Sequence, residues 1–276
     1  IRSLMIRAHQ ELAAWYHQLL MKSPVAEDAR AYLKGRGISA AVAKNWMIGY
    51  APPQAQLLRQ WATKHQFGQQ VLIDAGILAF SEERGDAYPR FRHRLMFPIR
   101  NDNGEVIAFS GRILDKDAKA AKYLNSPETP IFTKSKVLFG FDKAKRPISK
   151  AGQAIVCEGQ IDTIMLHEAG FPNTVAGGGA GCPGVLPKGG RGRGGGRGVL
   201  YYSDEIVLCY DSDNAGFKAA EKAYQILAPT GLIVKVAALP TGEDPDSLIR
   251  KEGPEAFAEL LKKARDFIDY QVEVVG

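Results

Sequence analysis

The sequence contains little of what a disulfide or zinc framework requires. Its 276 residues include three cysteines, Cys157, Cys182 and Cys209, which are far apart and form no CxxC pair. Cys157 and Cys209 lie inside apolar runs, as buried thiols usually do. This pattern argues against disulfides and against a zinc site, and it favours a reducing cytoplasm.

Long apolar runs are also absent. No stretch approaches the roughly 20 apolar residues that a membrane helix needs, so we expect no membrane association. The amino-terminal segment IRSLMIRAHQELAAWYHQLL carries charges and lacks the cleavage pattern of a signal peptide, and it is typical of an amphipathic helix. With 45% hydrophobic and 24% charged residues, the composition is that of a globular protein with a buried core.

Charge is abundant but unevenly distributed. The net charge of +6 divides into 24 Lys/Arg against 13 Asp/Glu in residues 1–150, a net of +11, and 12 against 17 in residues 151–276, a net of −5. A basic half joined to an acidic half indicates a surface for a polyanion beside a site that concentrates cations. Chance asymmetry on solvated surfaces is the alternative.

Apolar periodicity predicts an α/β protein with a mixed α+β first part and a mainly parallel sheet flanked by helices in the second. In residues 1–150, helices over about 24–35, 39–46 and 54–65 precede strands from near Tyr88, with a hairpin at the DNG turn of 102–104. Residues 151–252 alternate short apolar strands with helices, which favours βαβ units. Residues 253–276 begin a carboxy-terminal helical segment. The boundary between the two parts is expected near 146–153, around Pro147.

The strand expected after Tyr88 carries a row of cations. Arg90, Arg92 and Arg94 occupy alternate positions, so a strand here would present three arginines on one face. Such a row would add contacts to a phosphate backbone.

One segment fits neither part of the chain. Residues 177–198 contain twelve glycines and four positive charges, and they cannot supply a packed helix or strand. They indicate either a flexible Arg/Gly-rich segment that touches nucleic acid, or an insertion or local error in the sequence. Without them the second half has a net charge of −9, so the charge asymmetry does not depend on them.

Acidic residues follow three predicted strands of the second half. Glu158 ends AIVCE and Asp162 lies one helical turn beyond it. Asp211 ends EIVLCYD and Asp213 lies two residues further on, and Asp244 and Asp246 come after LIVKVAAL. Binding residues of parallel sheets gather at the carboxyl ends of the strands, so these side chains converge if the three strands are neighbours. Crowded carboxylates repel one another unless cations neutralise them, and oxygen ligands without Cys or His select Mg²⁺ or Mn²⁺. The pattern predicts a site for two such ions, a known arrangement for phosphoryl transfer.

Simpler roles exist for parts of this pattern. Asp213 and Asp244 each precede a predicted helix and are typical helix caps. Gly159 and Gly216, beside two of the acidic pairs, would let a phosphate or a metal ion approach the backbone closely. Three acidic pairs that each follow an apolar strand are not explained by capping alone.

These motifs resemble a known family. EGQID (158–162), DSDNAG (211–216) and DPD (244–246) resemble the toprim domain that bacterial primases, topoisomerases and some nucleases share. Upstream motifs, similar in kind and order to those of the bacterial replicative primase catalytic core, narrow the resemblance: YLKGRGIS (32–39), IGYAP (48–52), RFRHRLMFPI (90–99), SGR (110–112) and KYLNSPETPIFTKSKVLFG (122–140). The resemblance extends over essentially the whole chain except 177–200, and KYLNSPET is its most specific motif.

The resemblance implies the function and the site residues. It implies a DNA primase, a DNA-directed RNA polymerase that makes short RNA primers on single-stranded DNA from NTPs during replication. As catalytic residues it implies Glu158, Asp211 and Asp213. As metal ligands it implies Glu158, Asp162, Asp211, Asp213, Asp244 and Asp246. For the template and the incoming nucleotide it implies Arg36, Arg112, Lys122, Asn125 and Lys134.

The chain also departs from the family pattern. The family has a compact Gly-Thr turn and a helix where this chain has residues 177–200. The cysteine/histidine zinc module and the carboxy-terminal module that binds the replicative helicase are not present in this sequence, so we expect a core fragment without zinc. In the full-length protein, helicase contact would come through that carboxy-terminal module.

Two other functions stay open at this level. A toprim topoisomerase or nuclease shares the acidic set, although a topoisomerase needs a tyrosine nucleophile in a separate domain, and the upstream motifs do not resemble one. A non-catalytic toprim module that only binds DNA is the third possibility. The acidic residues predict metal-dependent phosphoryl transfer, whereas the basic first half distinguishes a primase from its toprim relatives.

Overall fold

The structure, a computed structural model, describes residues 1–115, 119–177 and 199–275. Cys182 and all of the glycine-rich segment except Gly177 lie outside these residues, so neither interpretation of that segment is tested. The chain divides into two compact units, Ile1–Thr133 and Lys134–Gly276. Within the described ranges, no helix has both the length and the apolar character that crossing a membrane demands.

The first unit is a mixture of helices and antiparallel strands. Its helices are α1 (Arg2–Lys22), α2 (Glu27–Gly35), α3 (Ala40–Asn45), α4 (Ala55–Lys64) and α5 (Gln69–Asp74). Its strands are β1 (Gly49–Ala51), β2 (Leu78–Ser81), β3 (Asp86–Pro89), β4 (Arg94–Arg100), β5 (Val106–Ile113) and β6 (Tyr123–Asn125). One sheet has the order β1-β4-β5-β6, and β2 and β3 form a separate hairpin.

Helix α1 packs its buried face against strand β5. The rings of His9 and Tyr16 lie 5.5 and 5.6 Å from the ring of Phe109, and all three side chains are buried. This confirms the amphipathic helix expected at the amino terminus. The predicted hairpin is also present, since the Asn101 side chain accepts hydrogen bonds from the backbone of Asn103 and Glu105 between β4 and β5.

The predicted row of three arginines is wrong. Strand β4 begins only at Arg94, and His93 has a φ of +50°, which breaks the alternation of side chains. Arg94 is buried and donates to the carbonyl oxygens of Gly111 and Ala121, at 2.9 and 3.1 Å. The three arginines therefore do not share one strand face, and Arg94 stabilises the fold through its hydrogen bonds to the backbone.

The second unit is built on a mainly parallel sheet, as predicted. Its helices are α6 (Phe141–Ala151), α7 (Gln160–Glu168), α8 (Asn214–Leu227), α9 (Pro245–Glu252), α10 (Pro254–Lys262) and α11 (Phe267–Val275). Its strands are β7 (Gln153–Cys157), β8 (Thr174–Ala176), β9 (Glu205–Leu208), β10 (Ile233–Val236) and β11 (Arg265–Asp266). The strand order is β11-β10-β9-β7-β8, in which only the pairing of β11 with β10 is antiparallel among the described strands.

The division between the units lies earlier than the boundary expected around Pro147. Helix α6 continues through Pro147, and its Phe141, Ala144 and Ile148 are buried in the core of the second unit. At the other end, Phe257 and Phe267 are buried too, so residues 253–276 belong to the same unit.

The structural division also changes the distribution of charge. Residues 1–133 contain 18 Lys/Arg against 12 Asp/Glu, whereas residues 134–276 contain 18 of each. The excess of cations in the first unit is therefore smaller than the halves of the sequence indicated. The difference comes from the basic residues between 134 and 150, which the structure assigns to the second unit.

Candidate functional site

The strand order of the second unit places the three acidic pairs at one edge of the sheet. Strand β9 lies between β7 and β10, and all three run parallel. Glu158 follows β7, Asp211 follows β9, and Asp244 follows β10. Since the carboxyl ends of parallel strands meet at the same edge, the chain delivers its carboxylates there, where open α/β sheets bind ligands.

Glu158 and Asp211 form one part of this acidic edge. The carboxylate of Glu158 accepts a hydrogen bond from the backbone N–H of Asp211. Burial raises the pKa of Glu158, and the negative charges of Asp211 and Asp213 raise it further. These effects mean that a nearby cation would stabilise the ionised form of Glu158.

Asp162, Asp244 and Asp246 form the other part. Asp162 is partly buried, and its Oδ1 accepts a 3.1 Å hydrogen bond from the backbone N–H of Asp246. Burial, followed by the charge of Asp244, raises the pKa of Asp162 to about 8. The charge of Asp211 also contributes, which links the two parts of the acidic edge electrostatically.

Several of these carboxylates also have structural partners. Asp213 caps α8, with its Oδ1 accepting from the backbone N–H of Gly216 at 2.7 Å. Asp244 caps α9 through reciprocal hydrogen bonds with Ser247. Asp246 is 1% exposed and accepts from Nε of Arg250 at 2.9 Å. The helix-capping role that the sequence indicated for Asp213 and Asp244 is thus confirmed. Both caps also lie at the acidic edge.

The six carboxylates do not close into a single ligand cluster. In the ranges that the structure describes, no group of three or more His, Cys, Asp or Glu side chains is arranged to hold a metal ion. The hydrogen bonds of Asp213, Asp244 and Asp246 hold their oxygens on helix starts or on an arginine. The donor set nevertheless fits a hard divalent cation, because the ligand atoms are all oxygens and the charges of the acidic neighbours oppose ionisation of Glu158 and Asp162.

The two glycines beside the acidic edge have a different role from the one expected. A Cβ atom at Gly216 would overlap the backbone carbonyl oxygen of Asp211, and a Cβ at Gly159 would lie 2.6 Å from Oδ2 of Asp162. The space beside each glycine is therefore occupied by the protein itself. Both glycines let an acidic segment pack closely, rather than leaving room for a phosphate.

In the first unit, Arg36 and Arg112 meet at one tyrosine. The guanidinium carbons of Arg112 and Arg36 lie 4.1 and 5.5 Å from the centre of the Tyr32 ring. Tyr32 stands one helical turn before Arg36, inside the quoted motif YLKGRGIS, but was not singled out from the sequence. The signal that could have identified Tyr32 is an aromatic residue four positions before a basic residue on a helix.

Arg112 and Asn125 lie on the same face of the β5–β6 ladder. Arg112 is paired with Tyr123, and Ser110 with Asn125, so the four side chains point to one side. Ser110 Oγ, Arg112 Nε and Asn125 Oδ1 are buried, and none has a hydrogen-bond partner within the described part of the chain. Buried polar atoms of this kind indicate a site that a polar ligand or water completes.

The other predicted basic residues are placed less tightly. Lys122 is exposed, with its Nζ 6.0 Å from the ring centre of Tyr123. Lys134 lies in a short 3₁₀ helix, Lys134–Lys136, and belongs to the second unit. Arg90 donates from Nε and Nη2 to the backbone carbonyl of Asn125, at 3.2 and 3.1 Å, so it supports that position instead of facing solvent freely.

Comparison with known proteins finds a matching family for each part of the chain. Residues 15–145 match the family described as DNA primase catalytic core, N-terminal domain, and residues 155–249 match the family described as Toprim-like. The chain is 38% identical over 262 residues to a DNA primase of Listeria monocytogenes, covering 95% of this chain and 40% of that protein. It is also 38% identical over 266 residues to a DNA primase of Pseudomonas putida, covering 95% of this chain and 39% of that protein. The chain thus spans about 40% of the length of the curated relatives it matches.

Solved structures show the same similarity in three dimensions. The RNA polymerase domain of Mycobacterium tuberculosis primase DnaG is 34% identical, with a TM-score of 0.84 over 99% of this chain and 87% of that one. A DnaG primase catalytic domain bound to single-stranded DNA is 35% identical, with a TM-score of 0.84 over 99% of this chain and 83% of that one.

Proposed function

This chain belongs to the DNA primase family, as its catalytic core, and from that premise we propose that it synthesises short RNA primers on single-stranded DNA from NTPs. The observation that carries the proposal is the strand order β10-β9-β7, which gathers the carboxylates of a toprim-like sheet at one edge. The match of residues 15–145 supports a primase over a topoisomerase or nuclease, because the matching family is described as part of the DNA primase catalytic core.

Divalent cations, Mg²⁺ or Mn²⁺, are the proposed cofactors. Glu158, Asp211 and Asp213 are the proposed catalytic residues, and Asp162, Asp244 and Asp246 complete the proposed set of ligands. Bound at this edge, two such ions would supply Lewis-acid stabilisation to the attacking and leaving oxygens of nucleotidyl transfer. No zinc is proposed, since the oxygen-only donor set does not favour it.

The protein's own residues bind and orient the substrates. Arg112 and Arg36, stacked on Tyr32, present guanidinium groups suited to triphosphate or template phosphates. Asn125 lies on the same face of the β5–β6 ladder as Arg112, and its side chain is proposed to contribute to the same nucleotide site. Lys122 and Lys134 are proposed to neutralise phosphates as mobile point charges.

The proposed partners follow from this activity. They are the single-stranded DNA template, NTPs and the RNA primer, with action in the cytoplasm during replication. The replicative helicase is proposed as a partner of the full-length protein only. No membrane partner is proposed.

The direct test compares two substitutions in primer synthesis. Wild-type protein is incubated with single-stranded DNA, NTPs and Mg²⁺ or Mn²⁺, beside Asp211→Asn and the control Asp269→Asn, which removes an exposed carboxylate of α11. We expect RNA products from wild type and control, and a loss of roughly 100-fold or more in Asp211→Asn, since losing a metal ligand costs at least as much activity as losing a group that only orients a ligand.

Other outcomes would identify the competing functions. Relaxation or cleavage of DNA without NTPs would support a toprim topoisomerase or nuclease. Metal-independent DNA binding with no synthesis under any condition would support a non-catalytic module. If wild type is inactive, but a version with residues 177–200 replaced by the compact turn of the family is active, the defect lies in that segment.

A further inference from the structure

The second unit separates its charges along the chain. Residues 134–150 contain six Lys/Arg and one acidic residue, Asp142. The remainder of the unit, residues 151–276, contains 12 Lys/Arg against 17 Asp/Glu. The second unit has no net charge, yet it contains a strongly basic segment as well as the acidic edge. Its net charge alone does not reveal this separation.

Helix α6 orders these cations into a stripe. Phe141, Ala144 and Ile148 are buried in the core of the unit. Lys143, Arg146 and Lys150, hereafter the basic stripe, follow at i, i+3 and i+7 on the face opposite to these residues. Arg146 and Lys150 are exposed, and within the described residues neither forms an ion pair with a carboxylate.

The helix leads away from the acidic edge. Just before α6, the backbones of Phe139 and Ala176 exchange two hydrogen bonds of 3.1 Å, and Ala176 is the last residue of β8. After α6, the chain turns at Gly152 into the first residue of β7. Helix α6 therefore runs antiparallel to the sheet, from the side of the carboxyl ends toward the amino end of β7.

The dimensions of the basic stripe suit a nucleic-acid backbone. Seven residues separate its first and last members, a rise of about 10 Å along the helix. That distance corresponds to about three nucleotides, at a rise of roughly 3.4 Å per residue of one strand. The exposed face of α6 presents no aromatic side chain, since Phe141 is buried and packs edge-on against Tyr202. A stripe of cations without aromatic side chains for base stacking contacts phosphates and not bases.

From these observations we infer that the basic stripe holds the phosphate backbone of the RNA–DNA duplex that extends from the acidic edge. The inference rests on the proposed function, which supplies that duplex as its product. A duplex is favoured over a single strand because its phosphate charge density is higher, and because nothing on this face binds unstacked bases. The stripe thereby offsets, along one side, the repulsion between the acidic edge and the nucleic acid.

The test measures binding without synthesis. A preformed, labelled RNA–DNA duplex and a single-stranded DNA of the same length are titrated in EDTA over a series of salt concentrations. The variant Lys143→Gln/Arg146→Gln/Lys150→Gln is compared with wild type and with Lys222→Gln/Lys262→Gln/Lys263→Gln, which removes the same charge from exposed positions of α8 and the α10 end. Thermal unfolding verifies that both variants fold.

We expect the stripe variant alone to bind the duplex several-fold more weakly. The slope of log K against log salt should become shallower by about 2–3, since each phosphate contact contributes roughly 0.9. Single-strand binding should change less than duplex binding. Equal duplex affinity in wild type and stripe variant overturns the inference, as does an equal loss in the control variant. A larger loss for the single strand overturns the assignment to a duplex.

Failure of this inference is distinct from failure of the proposed function. The binding assay contains neither metal nor NTPs, so it does not depend on synthesis. If Asp211→Asn abolishes primer synthesis while the stripe variant retains duplex binding, the function stands and the inference fails. If wild type makes no RNA but the stripe variant still loses duplex affinity selectively, the surface stands and the function fails.

Discussion

Oδ1 of Asp162 accepts a hydrogen bond from the backbone N–H of Asp246, although 84 residues separate the two in sequence. The bond joins the start of α7 to the start of α9, which follow β7 and β10. It holds a partly buried carboxylate among acidic neighbours, so the side chain that links two helices carries a negative charge that those neighbours destabilise.

We predict that Asp162→Asn stabilises the metal-free protein. The amide can still accept from the N–H of Asp246, but it carries no charge. Because the folded pKa of about 8 exceeds the ordinary 3.8, the folded state binds the proton more tightly, and the stability of wild type falls as pH rises through that window. Urea unfolding in EDTA near neutral pH should show a gain of about 1–3 kcal/mol for the variant.

The pH dependence and a control make this prediction specific. The advantage of Asp162→Asn should widen as pH increases between these two pKa values, and it should shrink when Mg²⁺ is added, because a cation relieves the repulsion in wild type. Asp269→Asn, at an exposed position of α11, should change neither quantity. A variant less stable than wild type at every pH would contradict the account of Asp162.

Gly216→Ala should disturb the acidic edge through the backbone. Its Cβ would overlap the carbonyl oxygen of Asp211, which cannot move aside as a flexible side chain can. We expect a loss of roughly 2 kcal/mol in unfolding free energy and a loss of primer synthesis at temperatures where the variant is folded. The matched control is Gly35→Ala, where no atom lies within 4 Å and φ is not positive. Wild-type activity in Gly216→Ala would show that Asp211 tolerates displacement.

Arg112→Gln should weaken substrate binding more than folding. The substitution removes the guanidinium 4.1 Å from the Tyr32 ring and leaves β5 paired with β6. We expect kcat/KM for NTPs to fall roughly ten-fold or more, mainly through KM, as for a group that binds substrate and transition state alike. Arg112→Lys should not restore it, because an ammonium lacks the planar fork. The control is Arg59→Gln on the exposed side of α4, and equal kinetics for Arg112→Gln and wild type would remove Arg112 from the site.

His9 should limit stability in acid. Burial lowers its pKa to about 4, below the ordinary 6.5, so between these values the unfolded state binds the proton more tightly. Stability contributed by this site is therefore lost as pH falls from about 6.5 to 4, by up to roughly 3 kcal/mol. His9→Phe, which preserves the stacking on Phe109, should flatten this part of the stability profile. Urea unfolding at several pH values measures it, and parallel profiles for both proteins would contradict it.

The sheet and its acidic edge were accessible from sequence because the pattern is local. Carboxylates follow each of three short apolar strands, and parallel strands bring such ends to the same edge of the sheet, close together where the strands are neighbours. The pattern did not predict the hydrogen-bond partners of the individual carboxylate oxygens. The capping bonds of Asp213 and Asp244, and the ion pair of Asp246 with Arg250, depend on side-chain geometry that spacing does not encode.

The failures of sequence reasoning have equally local causes. Alternating arginines indicated one strand, but the positive φ of His93 interrupts it, and nothing in the residue types requires that conformation. Pro147 indicated a boundary because proline lacks the N–H of a helix interior, yet α6 tolerates it. Burial of one face of α6 offsets the free-energy cost of that lost hydrogen bond. The basic residues of the helix consequently belong to the second unit and not to the first.

The order β10-β9-β7-β8 has a consequence for how the protein is made. On a ribosome, the antiparallel β4–β5 hairpin can close over a short turn, whereas β9 must find β7 across a long intervening chain and then wait for β10. Pairings of large sequence separation form slowly, and domains of a growing chain tend to fold from the amino terminus. Asp244 and Asp246 are synthesised after β10, so the full set of acidic residues comes together only once that strand has emerged, and the earlier carboxylates are spared the full mutual repulsion until then.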